Sequence, residues 1–115
     1  MVCDGSHSDH IQRVYVVGPD GKLLASYGGV RGSAVGHLNF PRHLAVLGDR
    51  GVLVAEFINQ RVILLNSALG FVGEVSDRRL DFCPYRLCVD VRHRRLYVGG
   101  HIRGSELGTL AVFDI

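Results

Sequence analysis

The chain repeats itself along its length, and this repeat constrains the fold more than any other feature of the sequence. Residues 40–46 resemble residues 83–89, 43 positions further along, with proline as the second residue of each stretch. Residues 12–14 and 60–62, both Gln-Arg-Val, lie 48 positions apart. A similarity that returns after 43 to 48 residues is typical of proteins built from stacked copies of one small unit.

The repeating unit consists of short strands. Runs of about five or six residues rich in Val, Leu, Ile and Tyr are bounded by Gly, Asp, Asn or Ser, as expected of strands and their turns. No apolar pattern with helical spacing persists for about ten residues. The sequence therefore predicts an all-β chain with strands at 13–17, 23–27, 43–47, 52–57, 61–65, 71–75, 86–91, 95–99 and 109–114.

Four short strands in a unit of this length are typical of one blade of a β-propeller. We therefore expect a partial β-propeller with four-stranded antiparallel blades. Residues 1–36 are predicted to hold the last strands of one blade and a Gly-rich link. Residues 37–78 are predicted to form a complete blade, and residues 79–115 a degenerate, nearly complete one.

The middle unit also carries a family resemblance. Residues 38–46 join a proline to an apolar strand, residues 52–56 end in an acidic residue, and residues 59–64 begin with Asn-x-Arg-Val. In this order they resemble the NHL repeat, whose Gly-rich link between blades is similar to residues 28–38. The third unit departs from the pattern, because Gly100 replaces the acidic residue.

The resemblance implies a function as well as a fold. It points to the tripartite-motif proteins, in which a propeller of this kind selects substrates for a ubiquitin ligase. A closed propeller needs about four to eight blades, whereas this chain supplies about two and a half. We therefore expect the remaining blades to come from a longer chain or from self-association, and we expect the isolated chain to be an oligomer, an aggregate or only marginally folded.

The basic residues suggest where a partner binds. Twelve of the thirteen basic side chains are Arg, which suits interfaces with carboxylate, phosphate or aromatic partners. Several follow the two prolines, where the resemblance implies one mouth of the propeller. The predicted partner is a protein, either an acidic peptide or a ubiquitination substrate; the alternatives are single-stranded RNA and scattered solvated charge. The candidate binding residues are Arg31, Arg42, His43, Tyr85, Arg86 and Arg103.

Other repeated positions favour a structural role. Arg13 and Arg61 occupy the same place in successive units, and a side chain repeated in this way is expected to bond loop carbonyls or the acidic Glu56. Pro41 and Pro84 begin the innermost strands, where a missing backbone N–H is tolerated. We predict that these five residues support the fold.

Catalysis and metal binding are not expected. Three Cys are too few for a zinc site of the RING type, and His7 and His10 stand three apart with no further ligand beside them. The sequence lacks the Gly-x-Ser-x-Gly and phosphate-loop motifs. No apolar run approaches the length of about 18 residues that a membrane helix needs, and the N-terminus lacks the features of a secretory signal. We expect a cytoplasmic protein with no enzymatic activity, cofactor or metal.

Overall fold

The architecture comes from a computed structural model, which describes the backbone of Val2–Asp4 and residues 12–76, 78–105 and 107–115. Within these residues the chain is all-β, as predicted. The helical part of the described structure is one 3-10 turn, Gly48–Arg50. No helix in this part of the chain is long and apolar enough to cross a membrane.

Each of the nine predicted strands is present to within a few residues, whereas Val2–Asp4, Val30–Arg31 and His37–Leu38 are strands that were not among the nine. The largest difference in bounds is at Pro41 and Pro84, which belong to strands that were predicted to begin two residues after each proline. In chain order the strands are β1 (Val2–Asp4), β2 (Arg13–Val17), β3 (Leu23–Gly28), β4 (Val30–Arg31), β5 (His37–Leu38), β6 (Pro41–Val46), β7 (Val52–Glu56), β8 (Arg61–Leu65), β9 (Phe71–Glu74), β10 (Cys83–Asp90), β11 (Arg95–His101) and β12 (Gly108–Asp114).

The longer strands form three antiparallel sheets, each a simple up-and-down meander. The first sheet has the order β1-β2-β3, the middle sheet β6-β7-β8-β9, and the third sheet β10-β11-β12. These sheets lie within residues 1–36, 37–78 and 79–115. The short strands β4 and β5 pair in parallel in the link between the first and middle sheets. The described strands form no closed sheet, so the partial β-propeller stays a prediction.

The middle sheet lies between the other two because both of its faces are apolar. In β7, Val54 packs towards the first sheet, whereas Leu53 and Ala55 pack towards the third. Successive strand residues point to opposite faces, so a strand with no polar position contributes to two cores. The core beside the first sheet contains Val14, Tyr27, Leu38, Val52, Val54, Ile63, Leu65 and Leu69. The core beside the third sheet contains Leu47, Leu53, Ala55, Val62, Phe82, Leu87, Leu96 and Val98.

The link to the middle sheet begins at a crowded glycine. Gly28 ends β3 with φ +94°, in the left-handed region that L side chains rarely adopt. A Cβ atom at this position would overlap the carbonyl oxygen of Gln12 and lie 2.9 Å from Leu38 Cδ1. The main chain therefore passes closely over β2, and a hydrogen bond of 2.6 Å from Gly29 N to Gln12 O fixes this approach.

Replacing Gly28 tests this close approach. Gly28→Ala should lower the free energy of unfolding by about 2–4 kcal/mol, since a left-handed alanine costs roughly 1–2 kcal/mol and an overlap with backbone about 1–3 kcal/mol more. Gly21→Ala is the matched control, because Gly21 has φ +81° but open space around its Cβ position. Urea unfolding measures both, and equal losses would contradict the crowding argument.

Candidate functional site

A buried ion pair closes the turn between β7 and β8. Glu56 and Arg61 stand opposite each other in the register, and both side chains are buried, with 0% and 6% of their surface exposed. Arg61 Nε donates a hydrogen bond of 2.5 Å to Glu56 Oε2. Charges buried to this extent are stable only when they are paired and fully hydrogen-bonded.

The remaining donors of Arg61 bind the link between the sheets, and also Glu74 and the second oxygen of Glu56. Its Nη1 atom donates to the carbonyl oxygen of Ser33 at 3.0 Å and to Glu74 Oε1 at 3.1 Å. Its Nη2 atom donates to the carbonyl oxygen of His37 at 3.3 Å. Burial lowers the pKa of Arg61, but the bonds to Glu56 and Glu74 outweigh this effect and raise it. Arg61 therefore stays charged while it holds the link.

Glu56 also binds the link between the first and middle sheets. Its Oε1 atom accepts hydrogen bonds from Asn39 N at 3.0 Å and from Asn59 Nδ2 at 2.7 Å. Asn59 Nδ2 also donates to the carbonyl oxygen of Gly32 at 2.8 Å. Burial raises the pKa of Glu56, although the bonds from Arg61 and Asn59 act in the opposite direction. Glu56 and Arg61 thus make the bonds to an acidic residue and to loop carbonyls that the sequence predicts for a structural role.

The first and third sheets differ from the middle sheet at the positions equivalent to Glu56 and Arg61. In the first sheet Arg13 pairs with Asp4 in the backbone register, and its guanidinium carbon lies 4.9 Å from the centre of the Tyr15 ring. In the third sheet Gly100 replaces Glu56, and a Cβ atom there would overlap the carbonyl oxygen of Cys83. The third sheet therefore has no room for a side chain at the position of the buried carboxylate.

A β-bulge follows each of the two prolines. The register of β6 on β7 shifts between Pro41 and His43, and that of β10 on β11 shifts between Pro84 and Arg86. Arg42 and Tyr85 lie within these two register shifts. A bulge leaves a residue without a direct partner and redirects side chains, so it is common where a strand presents groups to a ligand.

The two bulges bring their side chains into one cluster. The guanidinium carbon of Arg42 lies 5.1 Å from the Phe40 ring centre and 5.4 Å from that of Phe57, in cation–π contact. Phe57 meets the His101 ring at 5.4 Å, and His101 meets Tyr85 at 5.5 Å. We call Phe40, Arg42, Phe57, Tyr85 and His101 the bulge cluster. It spans the boundary between the middle and third sheets.

The other predicted binding residues lie beside the cluster or away from it. His43 Nδ1 accepts a hydrogen bond of 3.0 Å from Leu87 N, so this side chain joins the middle and third sheets. Arg86 is exposed, and Arg103 is close enough to Cys83 to oppose the burial that raises the pKa of that thiol. Arg31 lies in β4 of the link, opposite Leu38.

Sequence reasoning identified Arg42 and Tyr85 but missed the aromatic side chains that contact them. A signal was available, because Phe57 and His101 occupy equivalent positions. Phe57 follows Glu56, which pairs with Pro41, and His101 follows Gly100, which pairs with Pro84. Phe40 directly precedes the first of these prolines. The contact between Phe57 and His101, however, joins two repeating units, and the spacing within one unit carries no information about it.

Comparisons with known proteins give no information about this site. No protein-family model matches the sequence, and a search of curated proteins finds no match. In the described part of the chain, no three His, Cys, Asp or Glu side chains are grouped so that they could hold a metal ion. His7 and His10 lie outside the described residues.

Removing the buried carboxylate tests its role. Glu56→Gln should lower the free energy of unfolding by about 3 kcal/mol or more, because it leaves a buried guanidinium without its main partner. Glu74→Gln is the control, since Glu74 is about a third exposed and its bond to Arg61 should contribute about 1 kcal/mol or less. Denaturant unfolding compares the two, and similar losses would exclude Glu56 as the main anchor of the link.

The contact at His43 predicts a pH dependence. Burial lowers the pKa of His43 from its ordinary value of 6.5, and the Arg86 charge acts in the same direction. As the pH falls through about 6.5, the unfolded chain gains a proton at His43 that the folded chain does not take up. The free energy of unfolding should therefore fall on acidification. His43 Nδ1 can also accept the bond from Leu87 N only while it is unprotonated.

Urea titrations at pH 7.5 and pH 5.5 measure this dependence. His43→Asn should show a smaller loss of stability between the two pH values than the unsubstituted chain. Arg92→Asn serves as the control, because it introduces the same residue in the exposed turn between β10 and β11 without removing a histidine, and it should keep the full loss. An unchanged loss in His43→Asn would show that this contact does not set the pH dependence.

Proposed function

We propose that this chain is a non-catalytic binding module, a segment of an NHL-type β-propeller that recognises a protein partner. By the resemblance of its repeat, it belongs to the substrate-recognition part of a larger protein of the ubiquitin-ligase type. The stack of three antiparallel meanders supports the propeller part of this proposal. The bulge cluster supports the binding part, and it is the observation that carries the proposal.

The strand registers support the repeat behind this proposal. Pro41 stands opposite Glu56 and Pro84 opposite Gly100, so the positions matched in sequence are also equivalent in the sheets. In the third unit, the strand that contains Pro84 has a bulge at the same place as the strand that contains Pro41 in the middle unit. Two units that share an irregular feature as well as regular pairing are related more closely than two arbitrary hairpins.

The guanidinium of Arg42 is suited to binding a carboxylate of an acidic partner. Its side chain is exposed, yet two aromatic rings hold its guanidinium in place. A guanidinium fixed in this way loses less conformational freedom when it binds than a free side chain does. Its planar donors match the two oxygens of a carboxylate. The Phe40 ring lies beside it, and Tyr85 joins the same cluster through the His101 ring. Both rings offer apolar surface to the neighbouring residues of a peptide.

The surrounding charges favour the same class of partner. Arg86 and Arg103 are exposed, and they follow the start of β10 and the end of β11 at the bulged end of the third sheet. The carboxylate of Glu56 is buried and bonded to Arg61, which limits its attraction for a basic ligand. We infer that an extended peptide containing Asp or Glu binds across the bulge cluster.

The same residue types also occur in proteins that bind single-stranded RNA, where bases stack on aromatic rings and Arg contacts phosphate. The net charge of +2 is small for such a role. Binding to RNA loses affinity steeply with salt in proportion to the number of phosphate contacts. We therefore favour a peptide and treat RNA as an outcome that the experiment distinguishes.

Fluorescence anisotropy with a labelled peptide of about ten residues, rich in Asp, Glu and Leu, tests the proposal. Arg42→Ala should weaken binding about 10- to 150-fold, because a hydrogen bond to a charged group contributes about 1.5–3 kcal/mol. Arg42→Lys should recover part of this loss, since it keeps the charge but not the fork. Arg92→Ala, in the exposed turn after β10, removes the same charge elsewhere and should bind as the unsubstituted chain does.

Two results would count against the peptide. Equal losses in Arg42→Ala and Arg92→Ala would mean that the peptide responds only to net charge. Tighter binding of an oligouridine than of the peptide, with a steep salt dependence and the same sensitivity to Arg42 and Tyr85, would favour RNA. Thermal unfolding of each variant confirms that the sheets are intact before its affinity is interpreted.

A further inference from the structure

The two outer sheets each expose an apolar face that points away from the middle sheet. On the third sheet, Leu110 and Val112 are 65% and 52% exposed, and they alternate along β12 with residues that face the core. On the first sheet, Val17 and Leu23 pair with each other and are 36% and 57% exposed. Contiguous exposed apolar residues on a folded domain usually mark an interaction surface.

We define the two faces by their residues. The front face of the first sheet contains Tyr15, Val17 and Leu23; Ser26 stands opposite Tyr15, and the Arg13 guanidinium lies over the Tyr15 ring at one end of this face. The back face of the third sheet contains Cys88, Tyr97, Leu110 and Val112, of which Cys88, Tyr97 and Val112 form one row across the three strands.

The back face repeats a surface that is covered inside the molecule. The row of Cys88, Tyr97 and Val112 is equivalent to the row of Ala45, Leu53 and Leu64 in the middle sheet. That middle row packs against the third sheet. The back face therefore has the position and the apolar character of a surface that, one repeat earlier, is buried by a following sheet.

The front face repeats the opposite surface. Tyr15 and Val17 correspond to Ile63 and Leu65, 48 residues later. Ile63 and Leu65 are fully buried on the side of the middle sheet that packs against the first sheet. The front face therefore matches the side on which a preceding sheet packs.

We propose that the back face of one copy of this 115-residue chain packs against the front face of a second copy; in a longer chain, the same two faces would pack against the adjacent repeats of that chain. The contact continues, in the same direction, the two sheet-to-sheet interfaces that the chain already forms. Because the two faces differ, the contact is head-to-tail, and it closes into a ring or extends into a filament. It buries Leu110 and Val112 against Val17 and Leu23. This inference does not rest on peptide binding, because neither face includes a residue of the bulge cluster.

Charged substitutions on each face test the contact by size-exclusion chromatography with light scattering. The unsubstituted chain should elute as an oligomer whose mass increases with concentration. The back-face variant Leu110→Glu/Val112→Glu should be a monomer near 12.6 kDa, and so should the front-face variant Val17→Glu/Leu23→Glu. The control Val91→Glu, in the turn after β10, should assemble normally even though Val91 is 74% exposed.

Mixing the two monomeric variants is the decisive step. Each variant keeps one intact face, so an equimolar mixture should form a dimer of one copy of each and nothing larger. A monomeric unsubstituted chain at about 100 µM, where a Kd of 1 mM or weaker leaves little complex, would overturn the proposal. A front-face variant that still dimerises alone, or a mixture that stays monomeric, would also overturn it.

Two controls keep these outcomes interpretable. Circular dichroism checks that each double variant keeps its strand signal, and the single variants Val112→Lys and Val17→Lys replace any that does not. Binding of the acidic peptide is measured on the monomeric variants as well. Unchanged peptide binding together with lost assembly separates this inference from the proposed function, and either property can fail without the other.

Discussion

Strand β7 is buried along its whole length, and this requires a neighbour on each side of the middle sheet. All five residues from Val52 to Glu56 are excluded from solvent, the four apolar ones alternating between two cores. A sheet of this kind cannot keep one face in water, as most antiparallel sheets do. The stacking of the three sheets follows from this constraint.

The same alternation determines which side chains lie at the end of the sheets where the two bulges occur. Glu56 ends β7, so its carboxylate is buried and needs Arg61 as a partner. Phe57 follows directly and is largely buried beside the Arg42 guanidinium. One buried strand thus ends in two features within two residues: an ion pair that fastens the link, and an aromatic ring that supports the exposed Arg.

Much of this arrangement could be predicted from the sequence. The strands were visible because each apolar run is short and ends at Gly, Asp, Asn or Ser, and the repeat correctly matched Pro41 with Pro84. The bulges were not visible, because a bulge depends on the register with a neighbouring strand. The parallel pair of β4 and β5 was missed for a related reason: two-residue strands have no measurable periodicity, and the bonds from Arg61 hold their connecting loop.

Gly100 leaves the third sheet without the buried ion pair that the middle sheet has at the equivalent position. The middle sheet is fixed by a buried ion pair and by cores on both faces, whereas in the described residues the third sheet has one covered face and a glycine at the position of Glu56. Regions with fewer buried contacts open at lower free energy than the rest of a domain. Local opening of the third sheet should therefore begin at β12, whose outer side chains are exposed, while β10 stays fixed to the middle sheet through the bond from Leu87 N to His43.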